Sequence, residues 1–155
     1  MVNSTIGMEP TFCGDAMEIF YLVQLLCSLF MCGLIWVVQM VHYPAFEYVN
    51  EENFTDFESF HTSRITLIVV PVMLIELVTA FTLAIVDQHF VTISNLVIVL
   101  LIWLVTFAFS VPCHSRLSKS KNGSSIRKLI STNWLRTVLW TLKSFILAFW
   151  FKNLL

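Results

Sequence analysis

The stretch VTISNLVIVLLIWLVTFAFSV, residues 91 to 111, carries no charged side chain. Wound as a helix at ~1.5 Å per residue, it crosses the ~30 Å hydrocarbon of a bilayer. Three further apolar stretches flank it, Ile19 to Val41, Ile65 to Val86 and Leu129 to Phe151, each long enough to do the same. Lipid offers no partner for free backbone N–H and C=O groups, so each stretch must be helical. The expectation is an all-α protein, a four-transmembrane-helix bundle of up-down-up-down order. It forms a single domain over residues 1–155, because four spans leave no room for a second globular unit.

Composition agrees. Of the residues, 57% are hydrophobic and only 12% charged. The net charge of −1 gives no nucleic-acid footprint. The first seventeen residues hold Glu9 and Asp15 but no Lys or Arg, so they lack the basic start of a secretory signal and the first apolar stretch is expected to remain as a span. Cys13, Cys27, Cys32 and Cys113 show no CxxC spacing and read as unpaired, mostly buried thiols.

The connections set the orientation. Asp87 to Phe90 is so short that spans two and three must be antiparallel neighbours. The link from Tyr43 to Arg64 reads as a turn begun by Pro44. An amphipathic stretch follows, with Phe54, Phe57 and Phe60 or His61 at helical spacing, able to extend span two beyond the membrane. The second long link carries Arg116, Lys119, Lys121, Arg127 and Lys128, while the amino terminus and the short link carry no basic residue. The positive-inside rule then places both long links in the cytoplasm and both termini outside. Asn3-Ser4-Thr5 forms a glycosylation-like triplet on that outer side.

Each span also carries a polar stripe. Gln24, Ser28, Cys32, Gln39 and His42 follow three- and four-residue steps on span one, and Asn95, Trp103, Thr106, Ser110 and His114 do so on span three. His61, Arg64, Pro71, Glu76 and Thr79 lie broadly on one side of the second helix. On span four, Asn133, Arg136, Trp140, Lys143 and Ser144 share a face. Ionisable groups in hydrocarbon are expensive and mark functional sites. Glu76 is therefore a candidate partner for Arg136 or Lys143, and these residues, with Arg64, Asn133 and Trp140, are candidate ligand-binding or ion-pair positions.

His42, His61 and His114 fall at one membrane level, at the cytoplasmic ends of three spans, and Glu58 with His61 makes a Glu-x-x-His pair. Carboxylate-bridged metal sites use such pairs, and imidazoles from several helices suit a transition metal or haem iron. These four residues are the candidate metal ligands. His89, at the opposite end, reads as a turn residue.

The stretches VQMVHYPAF (38–46), FESFHTSRITLIVVPVMLIEL (57–77), VPCHSRL (111–117) and LISTNWLRTVLWTLKS (129–144) resemble a family of small four-span bacterial membrane proteins of uncharacterised activity. The resemblance covers spans one, two and four and the end of span three. It implies an inner-membrane location and a shared polar centre at His42, Tyr43, Pro44, His61, Arg64, Glu76, His114, Asn133, Trp134 and Arg136. The longer acidic amino terminus departs from the family, and no catalytic or ligand assignment follows.

Three uses of the polar centre remain open. The first is metal or haem redox chemistry, with Arg64 and Arg136 neutralising an anionic group. The second is binding or transport of an anion, a lipid or a proton around Glu76, Arg136 and Lys143. The third is a structural accessory subunit of a membrane complex, as a homo-oligomer or with another membrane protein. The sequence gives no sign of a nucleophile–base–orienter set, a phosphate-cradling loop or a dinucleotide fingerprint, so hydrolase and nucleotide-dependent readings are poor.

Overall fold

The structure, a computed structural model, describes residues 11–152, with side chains from Met17 onward. Glu9, Cys13, Asp15 and the Asn3-Ser4-Thr5 triplet lie outside the described side chains. Among the described residues all regular structure is helical. Helix α1 (Thr11–Val37) runs into a π-helical turn (Val38–His42), a short α2 (Tyr43–Ala45) and a 3-10 turn (Phe46–Tyr48). Next come α3 (Glu51–Val86), α4 (Phe90–Val105), a second π-helical turn (Thr106–Ser110), α5 (Val111–Leu117) and α6 (Gly123–Lys152). Three of the resulting helical segments, Met17–Tyr48, Glu51–Val86 and Phe90–Leu117, are long and apolar enough to cross a membrane. Helix α6 is equally long, but its charged and polar residues lower its hydropathy.

Two expected boundaries move. Pro44 does not start a turn away from span one, and Val111 does not end span three. In both places the helix continues through a proline, at the cost of the one backbone hydrogen bond that its missing N–H would have made. The wider π turn just before each proline makes room for its ring. The amphipathic stretch after Pro44 is the first part of α3, with Phe54 and His61 buried and Phe60 exposed.

The connections have identifiable closures. Gln88, at φ 48, supplies the left-handed backbone that reverses the chain between α3 and α4. His89 Nδ1 accepts the Val91 N–H at 3.2 Å and caps α4, so it is indeed a turn residue. Asn122 Oδ1 accepts the Ser125 N–H at 3.0 Å and caps α6. Lys121 Nζ donates to the carbonyls of Glu47 (2.9 Å) and Val49 (2.7 Å), tying the two long links together.

Each long helix packs on two others. Helix α1 lies against α3 and α6, and α4 lies against the same two. Ser28 and Ser144, with hydroxyls 2.9 Å apart, let α1 and α6 approach closely. The burial pattern of α6 inverts that of a water-soluble helix. Asn133, Arg136, Thr137, Trp140, Lys143 and Ser144 are buried, while Val138, Phe145 and Phe149 are exposed, Phe145 by 71%. The other long helices likewise turn apolar side chains outward, Leu26 and Phe30 on α1 and Leu67 and Phe81 on α3 among them.

Candidate binding site at the polar centre

Three groups of side chains gather around ionisable residues inside the bundle. In the first, Lys143 Nζ donates to Glu76 Oε1 and Trp140 Nε1 donates to Glu76 Oε2 at 3.1 Å. Gln24 Nε2 reaches the Glu76 carbonyl and Thr79 Oγ1, the latter at 2.6 Å. Lys143 is 0% exposed. Both carboxylate oxygens of Glu76 thus have donors and both formal charges are matched, which is what makes a buried pair tolerable. This group is closed: one negative charge, one positive charge, and α1, α3 and α6 held together around them.

The second group is built on Arg136. Gln39 Nε2 donates to the Ile130 carbonyl (3.2 Å) and its Oε1 accepts from Asn133 Nδ2 (2.9 Å). Asn133 Oδ1 accepts in turn from Arg136 Nη1 (3.2 Å), which also donates to Ser110 Oγ (3.3 Å). The guanidinium sits over the Trp140 ring, 5.2 Å from its centroid. Arg136 is 6% exposed, Nε has no hydrogen-bond partner, and among the described residues no carboxylate lies within ion-pair distance of it. Lys143, not Arg136, has taken Glu76.

The third group gathers the histidines. His42 and His61 have ring centroids 4.2 Å apart, and His61 and His114 5.6 Å. Glu58, 0% exposed, places Oε1 2.6 Å from His114 Nδ1. An ionised carboxylate only accepts, so Nδ1 donates to it, and Nε2 is left to accept from the Tyr43 hydroxyl at 3.2 Å. Glu58 therefore serves His114, not the His61 of its own Glu-x-x-His pair. Three atoms in this group, His42 Nε2, His61 Nε2 and Glu58 Oε2, are buried without a partner. Among the described residues no three His, Cys, Asp or Glu side chains are disposed to hold a metal ion together. Arg64 stays apart: it is exposed and its guanidinium lies 5.6 Å from the Phe60 ring centroid.

The carboxylate–imidazole–hydroxyl order of Glu58, His114 and Tyr43 is one the sequence did not disclose. Its members stand 56 and 71 residues apart and come from three segments. The available signal was Tyr43 beside His42, immediately after a run of apolar residues and before a proline.

A cavity of about 440 Å³ joins the second and third groups. It is a groove between one face of α3, from Thr62 to Met73, and the facing side of α4 and α5, from Trp103 to Ser118. Tyr43, His114 and Ser110 line it, and Arg136 reaches it from α6. Its Arg136 edge is cationic and its walls are mostly apolar, the combination of a small-molecule site with one charged anchor. Of the three residues expected around one cavity, Glu76, Arg136 and Lys143, Arg136 lines this one and the other two do not. Hydrogen bonds to such a guanidinium contribute about 1.5–3 kcal/mol each when the acceptor is charged.

Comparison with protein-family models, with curated proteins and with solved structures gave no match. The resemblance read from HYPAF, FExxHxxRIT and NWLRT stands on those motifs alone.

Proposed function

We propose that this chain is a multi-pass membrane protein that binds an anionic small molecule in an intramembrane groove, with Arg136 as the anchoring charge. One observation carries the reading: a buried guanidinium with no carboxylate partner lines a cavity large enough for a ligand. A buried charge without a counterion is costly, and an anion arriving in the groove supplies one.

The proposal includes a bundle that crosses the membrane four times, up-down-up-down, with both termini outside and the basic link in the cytoplasm. The inverted burial of α6 supports a fourth crossing, because its apolar face is exposed where the other helices expose theirs. Native mass spectrometry of protein purified from its own membrane in mild detergent tests the anion site. A bound acid seen with the wild type and missing from Arg136→Gln is the expected result. A wild type that carries no acid and takes up none of the added carboxylates or phosphates overturns the reading.

A second reading, a transition metal or haem at the imidazole group, is favoured by the unpartnered His42 Nε2, His61 Nε2 and Glu58 Oε2. Elemental analysis and an optical spectrum decide it. Stoichiometric metal lost in His42→Ala and His61→Ala establishes the site, and a colourless, metal-free wild type removes it.

A further inference from the structure

The position of the groove narrows the ligand class. Both of its long walls belong to segments apolar enough to lie in a membrane, Glu51–Val86 and Phe90–Leu117. Along them the lining changes character. Toward the Thr62 and Ser118 end it is rich in hydroxyls, and toward the Met73 and Trp103 end it is apolar. The stretch of α3 from Thr62 to Met73 spans about 16 Å at the helical rise, so the groove is elongated along the helices.

Its opening changes in the same way, with Thr66, Ser115 and Ser118 exposed toward the hydroxyl end. Val70, Phe107 and Val111 line the groove and are exposed, Phe107 by 59%. In a bilayer that exposure faces acyl chains. A free inorganic anion would pair with Arg136 but would leave the Val70, Met73 and Trp103 surface unfilled. An amphiphile meets both demands, with an oxyanion head on Arg136 and a chain along the apolar wall.

We infer that the ligand of the Arg136 groove is an anionic amphiphile drawn sideways from the bilayer between α3 and α4, a long-chain carboxylate being the simplest case. This rests on the anion-binding reading and adds the source and the tail.

Trp103 reports on it directly. The full chain is placed in phosphatidylcholine nanodiscs and titrated with dibromostearate, whose bromines quench indole fluorescence on contact, and the Trp103 signal is obtained by difference from Trp103→Phe. Saturable quenching of Trp103 is expected at neutral pH. Dibromostearate methyl ester, which keeps the tail and loses the charge, is expected to need at least tenfold more. Arg136→Gln should bring the acid down to the ester's level, with Arg136→Lys intermediate. Should Arg136→Gln fail to fold, the acid–ester comparison on the wild type decides alone.

Equal quenching by acid and ester overturns the inference, because the groove then takes apolar chains without regard to charge. Acetate or inorganic phosphate bound through Arg136, with no Trp103 quenching by dibromostearate, also overturns it while leaving the anion site intact. Failure of all three anions to bind removes the anion reading along with the inference.

Discussion

Glu76, Lys143 and Arg136 show how far one side chain's fate depends on its neighbours. The seven-residue spacing of the two bases puts both on one face of α6, and at sequence level either could reach Glu76. Trp140 lies between them in sequence, and its indole N–H takes the second oxygen of Glu76 while its ring carries Arg136. That arrangement depends on packing, which spacing cannot express. The stability consequences should separate the two bases. Lys143→Met leaves Glu76 buried without its cation and should lower unfolding stability by about 3–5 kcal/mol. The double variant Glu76→Gln/Lys143→Met should recover most of that loss. Unfolding of both by denaturant in mild detergent measures it, and a double variant as unstable as the single one would show that the pair is not a closed unit.

At the scale of the element, the four long helical segments were legible, although α3 begins about fourteen residues and α6 about six residues before the apolar stretches that announced them. The four apolar stretches all lie inside long helices, and the short α3–α4 link falls where the sequence puts it. The π turns were not legible, because they are defined by a hydrogen-bond register that no residue pattern announces. Each leads into residues of the candidate site: the first ends at His42 and is followed by Tyr43, the second ends at Ser110 and is followed within α5 by His114. A π turn holds one residue more than the α-helix it replaces. Deleting the exposed Met40 should convert the first one to α-helix and leave the residues beyond it in register with α1. The expected outcome is helical content unchanged by far-UV circular dichroism and ligand binding in the Arg136 groove retained, the turn being an accommodation of Pro44. Binding lost on deletion would show instead that the wide turn itself places Tyr43.

For the whole molecule, the sequence revealed that all four helices have polar stripes, but not how the stripes divide once they face each other. They form one sealed charge pair, one histidine group and one guanidinium open to a cavity, and distances across the bundle decide the sorting. The direction in which the bundle sits is a separate property, and the proposed orientation rests on the basic link. Single cysteines introduced as Gln88→Cys and Lys119→Cys, with the native cysteines replaced by serine, test it against a membrane-impermeant maleimide in sealed vesicles. Position 119 should be labelled only from the cytoplasmic side and position 88 only from the other. Labelling of both from one side would refute the proposed topology.

The exposed apolar rim at Val70, Phe107 and Val111 has a consequence for what this molecule would sense. A receptor that fills from a lipid phase answers to composition, not to molarity. Its occupancy follows the mole fraction of the amphiphile among the surrounding lipids, the membrane counterpart of ligand activity in a binding equilibrium. Diluting such a sample with buffer leaves it loaded, whereas fusing its membrane with plain phospholipid empties it. In a growing cell the same groove would register how fast the acid is made relative to the lipid around it.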